Sequence, residues 1–203
     1  MNAVLTSGLF GALSGTQEVV LAGFGGQGIL LAGRLLASAA MRRGLNVLVH
    51  NYYEGFVRGG VSECTVAVAT GNIDSPVRSH PAVVAALDRR ALATWSERVR
   101  PGGLLIRNRS VVDGEMGRVD IEAFDVPASE LAASAGSPMS VSMTVVGALA
   151  SITGWFTLEN CISALDEVVP PHRRNLIAVN AQALRLGASF AAENARRSLH
   201  GAH

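Results

Sequence analysis

The sequence predicts an α/β fold: a Rossmann-like three-layer domain with a mixed, mainly parallel sheet. Three observations carry that expectation. Residues 19–22 form a short apolar run that meets a glycine turn, Gly23-Phe24-Gly25-Gly26-Gln27-Gly28, and the chain then reads as a helix to residue 43. Strand, glycine turn and helix in that order open a doubly wound sheet. Apolar runs at 83–87 and 104–107 are bounded by helix and turn signals, as strands buried on both faces are. The segment 52–60, between a second strand at 46–51 and an alternating run at 63–69, is too short to hold a crossover helix. That pair is therefore antiparallel and the sheet is mixed.

The elements follow in order. In the helix 27–43, Ile29, Leu30, Leu35, Leu36 and Ala39 supply an apolar face, while Ala32, Gly33, Ala37 and Ala40 make a small-residue stripe that can lie close to a sheet. Arg42 and Arg43 fall in its last turn, where cations suit the dipole, and Gly44 suits the C′ position. In the run 63–69, Cys64, Val66 and Val68 share one face, with Thr65 and Ala67 on the other. Thr70-Gly71-Asn72 is a turn, and 73–77 a short extended return. A strand at 83–87 ends at Asp88, a helix at 89–99 is stopped by Pro101-Gly102-Gly103, and strands follow at 104–107 and 119–124. Three helices close the domain: 141–155, 158–168 and 173–191, the last two separated by Pro170-Pro171. Residues 1–17 read as a flexible lead, 18–191 as the domain and 192–203 as a polar tail.

Composition narrows the function. Hydrophobic residues make up 49% and aromatic ones 5%, so the core is built from Val, Leu, Ile and Ala. A net charge of +1 and the lack of any basic run argue against nucleic acid or a charged membrane surface as partner. The stretch 131–158 carries no charge and is long enough to span a bilayer. Ser134, Ser137, Pro138, Ser140, Ser142, Thr144, Ser151, Thr153 and Thr157 interrupt it, which favours a buried helix apolar on most sides and invites an interface with another chain. Cys64 and Cys161 are far apart in sequence and outside any C-x-x-C, so they read as buried thiols of a cytoplasmic protein rather than cluster or zinc ligands. The five histidines show no ligand spacing. All 17 basic Lys or Arg positions are arginine, which removes lysine chemistry.

Gly23, Gly25 and Gly28 satisfy G-x-G-x-x-G. Such a loop lets backbone N–H groups approach a phosphate at a helix N-terminus, or simply lets strand and helix pack tightly. A nicotinamide site further wants an acid at the end of the second strand. That strand ends His50-Asn51-Tyr52, and the nearest acid, Glu54, lies beyond it. A stand-alone NAD(P)-binding oxidoreductase, or a nucleotide-binding scaffold, is the alternative reading. Gln27 can meet a ligand near the helix start or cap its own loop. Glu54 is an acid–base candidate or a salt-bridged carboxylate. Tyr52, Tyr53 and Phe56 suit a partner surface or an ordinary core.

Gly23-Phe24-Gly25-Gly26-Gln27-Gly28-Ile29, followed by Arg58-Gly59-Gly60, resembles the gamma subunit (gamma domain) of the 2-oxoacid:ferredoxin (acceptor) oxidoreductases. Ser75-Pro76, the strand 83–87 with Asp88, Pro101-Gly102-Gly103, Gly147-Ala148-Leu149 and the closing helix with Asn180 and Gly187 fall in that family's order, over about 18–190. The segment Tyr53-Glu54-Gly55-Phe56-Val57 departs from the family's pattern. The resemblance implies a role in oxidative decarboxylation of a 2-oxoacid (pyruvate, 2-oxoglutarate, ketoisovalerate or indolepyruvate) to an acyl-CoA, with electrons passed to ferredoxin. It implies alpha and beta partner subunits and a ferredoxin-like delta chain. Thiamine diphosphate, Mg²⁺ and [4Fe-4S] clusters belong to those partners, with coenzyme A as co-substrate. For this chain it implies an assembly role without catalytic residues of its own. It points to Gly23, Gly25, Gly26, Gln27, Gly28, Arg58, Gly59 and Gly60 as the candidate positions for a CoA phosphate or a partner interface. Arg58 either anchors an anion or braces the loop.

Overall fold

The computed structural model describes residues 13–54, 60–75, 79–112, 114 and 117–200, the side chains of 195–200 excepted. Six strands, β1 (Gln17–Phe24), β2 (Asn46–Tyr53), β3 (Val61–Ala69), β4 (Val83–Ala86), β5 (Leu104–Asn108) and β6 (Glu122–Val126), form one sheet in the order β2-β3-β1-β4-β5-β6. The β1–β4, β4–β5 and β5–β6 pairs are parallel, while β1–β3 and β2–β3 are antiparallel. The sheet is thus mixed and mainly parallel, as the short 52–60 segment predicts.

The layers are unequal. Helices α1 (Ile29–Met41), α3 (Ala128–Ser134), α4 (Val141–Thr153), α5 (Leu158–Val168) and α6 (Ile177–His200) contribute to the larger core, against Val19, Leu21, Cys64, Val66, Val68, Val83, Ala85, Leu104 and Ile106 of the sheet. The opposite face, with Val20, Ala22, Val84, Ala86 and Leu105, is covered by Ala91 and Trp95 of α2 (Arg89–Trp95) and by Val99, which follows the 3-10 turn Ser96–Arg98. Strand side chains alternate between these cores, the period-2 pattern of a sheet buried on both faces.

Helix α4 sits inside the larger core. All of its residues except Ser151 are buried. Its neighbours are α1, α3, α5 and α6 of the same chain, so its apolar surface is covered without a second chain. Three of the hydroxyls that interrupt this stretch bond within the fold: Thr144 Oγ1 donates to Ser140 O (3.4 Å), Thr153 Oγ1 to Leu149 O (2.9 Å), and Ser140 Oγ to Asn180 Oδ1 (2.8 Å). Among the described residues, no helix is long and apolar enough to cross a membrane. Gly147 and Gly187 let α4 and α6 touch backbone to backbone. A Cβ on Gly147 would stand 2.0 Å from Leu184 O, and one on Gly187 1.9 Å from Thr144 O.

Several elements differ from expectation. The helix expected at 27–43 starts at Ile29, because Gly26 and Gly28 take left-handed φ of 106° and 78°. It stops at Met41, so Arg42 and Arg43 lie past its last turn. Arg43 Nη1 donates to Gly154 O and Trp155 O (both 2.7 Å), capping the C-terminus of α4, and Arg42 pairs with Glu167 of α5. Gly44 holds the expected C′ geometry, with φ of 73°. The strand expected at 119–124 lies at Glu122–Val126, with Val119 99% exposed, since Arg107 of β5 fixes Asp125 opposite it in register. Helix α3 went unread, its alanines and serines carrying little pattern. The 3-10 turn Pro171–Leu176 takes the start of the helix expected at 173–191, and α6 runs on to His200 through the stretch expected as a tail. Of the lead expected at 1–17, residues 1–12 lie outside the described residues, and Gln17 already belongs to β1. Residues 76–77 of the extended return also lie outside them, and 73–75 form no strand.

Candidate functional site

The connections set the site. From β1 the chain passes through α1 to β2 on one side, and from β4 through α2 to β5 on the other. The sheet's topological switch point therefore falls between β1 and β4, at their C-terminal ends, where open α/β sheets bind ligands. The glycine loop stands there, next to Leu87, whose N–H donates to Ala22 O (2.9 Å).

The loop is closed by its own polar groups. Gln27 Oε1 accepts from Phe24 N (3.0 Å) and Gln27 N donates to Phe24 O (3.2 Å). Gly23 leaves room for this: a Cβ there would lie 2.1 Å from Gln27 Oε1. Gln27 is thus a cap for the turn. Gly25 N donates to Gly60 O (2.9 Å), which brings the two glycine motifs of the sequence together. Arg58, Gly59 and Phe56 lie outside the described residues. The Tyr53 ring covers Gly25, where a Cβ would meet Tyr53 Cε2 at 3.2 Å.

Two loop amides, of Gly25 and Gln27, are thus turned inward. The α1 N-terminus has neither a side-chain cap nor an acid in its first turn. The first turn of α4 meets it: a Cβ on Gly28 would lie 2.9 Å from Ser142 Oγ. Two helix N-termini at one place make the local potential positive and suit an anion.

The topology accounts for the missing strand-end acid. β3 occupies the place beside β1 that β2 would hold in a dinucleotide-binding unit, and β2 is pushed out to the edge. Glu54 closes the β2–β3 hairpin instead, its N donating to Val61 O (2.9 Å) and its Oε2 accepting from Val61 N (3.3 Å). Tyr52 and Tyr53 are exposed rather than core.

Two polar assemblies at the same end of the sheet escaped the sequence reading. Buried Asn108 ends β5. Its Oδ1 accepts from Ala128 N (3.1 Å) and Ser129 N (3.3 Å), and its Nδ2 donates to Ser129 Oγ (3.0 Å). It thereby caps α3, whose own N-cap position is Pro127. Arg107 binds Asp125 two-pronged, Nε to Oδ1 at 2.5 Å and Nη2 to Oδ2 at 2.6 Å, and also donates to Gly114 O (2.9 Å). The signal was a polar Arg107-Asn108 pair at the end of an apolar strand.

Among the described residues, the donors present do not fit a cluster or a metal–diphosphate site. Cys64 is packed under Gly33 of α1 and Cys161 is buried on α5; burial pushes both thiols up to about 12. Among the described residues no three His, Cys, Asp or Glu side chains gather as ligands.

Residues 18–190 match the family described as pyruvate ferredoxin/flavodoxin oxidoreductase. The chain belongs to that family. The family resemblance of its glycine motifs holds, and the comparisons favour it over a stand-alone NAD(P)-binding protein. One relative, the 2-oxoglutarate synthase subunit KorC of Methanothermobacter thermautotrophicus, is 32% identical over 174 residues, covering 81% of this chain and 92% of that protein. The ketoisovalerate oxidoreductase subunit VorA of the same organism is 29% identical over 177 residues, covering 87% of this chain but 37% of that longer protein. The gamma subunit of keto/oxoacid ferredoxin oxidoreductase from Geobacter sulfurreducens PCA superposes with a TM-score of 0.77, covering 89% of this chain and 98% of that one. At 24% identity that likeness bears on the fold.

Proposed function

We propose that this chain is the gamma subunit of a thiamine-diphosphate-dependent 2-oxoacid:ferredoxin oxidoreductase of the cytoplasm. Alpha and beta subunits, with a ferredoxin-like delta chain, carry thiamine diphosphate, Mg²⁺ and the [4Fe-4S] clusters. The complex converts a 2-oxoacid and coenzyme A to an acyl-CoA and carbon dioxide, with ferredoxin as electron acceptor. The gamma chain holds the assembly together and offers the surface of Gly23, Gly25, Gly26, Gln27, Gly28 and Gly60, with Arg58 and Gly59, to a partner or to a CoA phosphate. One observation carries this reading: the two family motifs are joined by the Gly25–Gly60 hydrogen bond beside two converging helix N-termini. Amides and a guanidinium bind a phosphate without chemistry of their own, which suits a chain whose cysteines are buried.

The test is isolation of the native complex through a tag on this chain. Co-purifying chains with thiamine diphosphate, iron–sulfur absorbance and CoA-dependent ferredoxin reduction support the reading, and a screen of 2-oxoacids then names the substrate. A colourless homo-oligomer stabilised by NAD(P)H would overturn it. Arg58→Ala is expected to raise the KM for CoA or loosen assembly while thiamine binding is kept; unchanged KM and stoichiometry would remove Arg58 from the site.

A further inference from the structure

Among the described residues, strand β2 is an edge with none of the usual protections. It pairs with β3 alone, in unbroken register from Asn46↔Ala69 to Tyr53↔Ser62. Its eight residues contain no Lys, Arg, Asp, Glu or Pro. Soluble proteins blunt such edges with charges, prolines or bulges, because a long bare edge templates pairing with another chain. Of its eight side chains only Val47 is half-buried, packed against the larger core. Leu48 and Tyr52 stand exposed on the face of Ala67 and Glu63; Val49 and Tyr53 stand exposed on the other. With Phe24 at the end of β1, they are five of the nine exposed large hydrophobic residues among those described, and the other four are Met41, Val111, Val119 and Met139.

We propose that β2 is covered by an extended, uncharged segment of a catalytic partner subunit, which adds a seventh strand to the sheet. This rests on the gamma-subunit reading. Three features select the occupant. Outward N–H and C=O groups call for a strand rather than a helix. An edge without charge gives a charged strand nothing to pair with. In VorA the matched domain is 37% of a longer polypeptide, so there it is always joined to further protein. The surface continues into the glycine loop, since the Tyr53 ring covers Gly25, so one partner reaches both.

Residue-resolved hydrogen exchange on the native complex tests this without the isolated chain. A bare edge strand shows alternation, with amides bonded to β3 slow and outward amides fast. A covered one slows at every amide from 46 to 53, the outward ones by about tenfold or more. A maleimide–diazirine cross-linker carried on His50→Cys, which needs no thiol on the occupant, identifies it, because Cys64 and Cys161 are buried. Uniform protection with a cross-link to a different subunit is the expected result. Alternating exchange overturns the proposal, and so does a cross-link between two copies of this chain. A tag that recovers no other chain overturns both this inference and the gamma-subunit reading, whereas an intact complex with a bare β2 overturns this inference alone.

Discussion

Helix α4 and strand β2 are both free of charged residues, yet they have opposite fates. Twelve of the thirteen residues of α4 are buried, and none of the eight in β2 is. The difference lies in side-chain size and place. In α4, Gly147, Ala148 and Ala150 let neighbouring helices close in, and its hydroxyls bond within the fold. In β2, Leu48, Val49, Tyr52 and Tyr53 stand exposed on the two faces of the edge strand. An uncharged segment is thus buried within the chain where small residues space it, and stands exposed where large ones do.

Breaking the first half of that comparison has the largest expected effect. Gly187→Val or Gly147→Val drives a side chain into a carbonyl across the α4–α6 contact, and each is expected to cost about 4 kcal/mol or more. Loss of soluble protein, or a collapsed urea midpoint, is the readout. The glycine loop lies between the two regions. Gly28→Ala adds a Cβ at positive φ and 2.9 Å from Ser142 Oγ, for an expected cost of about 1–2 kcal/mol by urea unfolding. A cost below about 0.5 kcal/mol there would mean that the loop relaxes freely.

Titration sharpens the contrast further. Cys64 and Cys161 ionise near 9.0 in an open chain and are pushed up to about 12 by burial. Below pH 9.0 both states keep these protons and the thiols contribute nothing to the pH dependence. As pH rises from 9.0 toward 12, the unfolded chain releases protons that the native chain retains, so stability falls. Thermal melts across that window should show the decline, and removing both thiols (Cys64→Ala with Cys161→Ala) should flatten it. The smallest effect belongs to the edge. Val49→Lys is expected to change stability by less than about 0.5 kcal/mol in the same melts, although Val66, its register partner, is fully buried.

Much of the fold was legible because its signals are local. The α5 boundaries, the antiparallel β2–β3 hairpin and the Gly44 cap follow from short-range pattern and turn chemistry. What escaped depends on partners distant in sequence. Arg42 and Arg43 read as cations for their own helix, but their guanidinium groups serve α5 and α4, more than a hundred residues away. Helix α3 is capped by Asn108 of a strand, so no Ser, Thr, Asp or Asn stands at its N-cap position to announce it. The glycine turn was legible as a motif. Its hydrogen bond to Gly60 joins two motifs distant in sequence, and the insertion of β3 beside β1, which removes the nicotinamide geometry, is a matter of strand order; no local window contains either.

The close α4–α6 contact also sets a schedule for synthesis. Helix α4 is complete at Thr153, but α6, which covers it, starts at Ile177. At ribosomal speeds of about 5–20 residues per second, the most apolar helix of the domain waits seconds for its cover. During that interval the nascent chain offers a chaperone its best handle, and a message cut short before residue 177 leaves a product with no means of sealing its own interior.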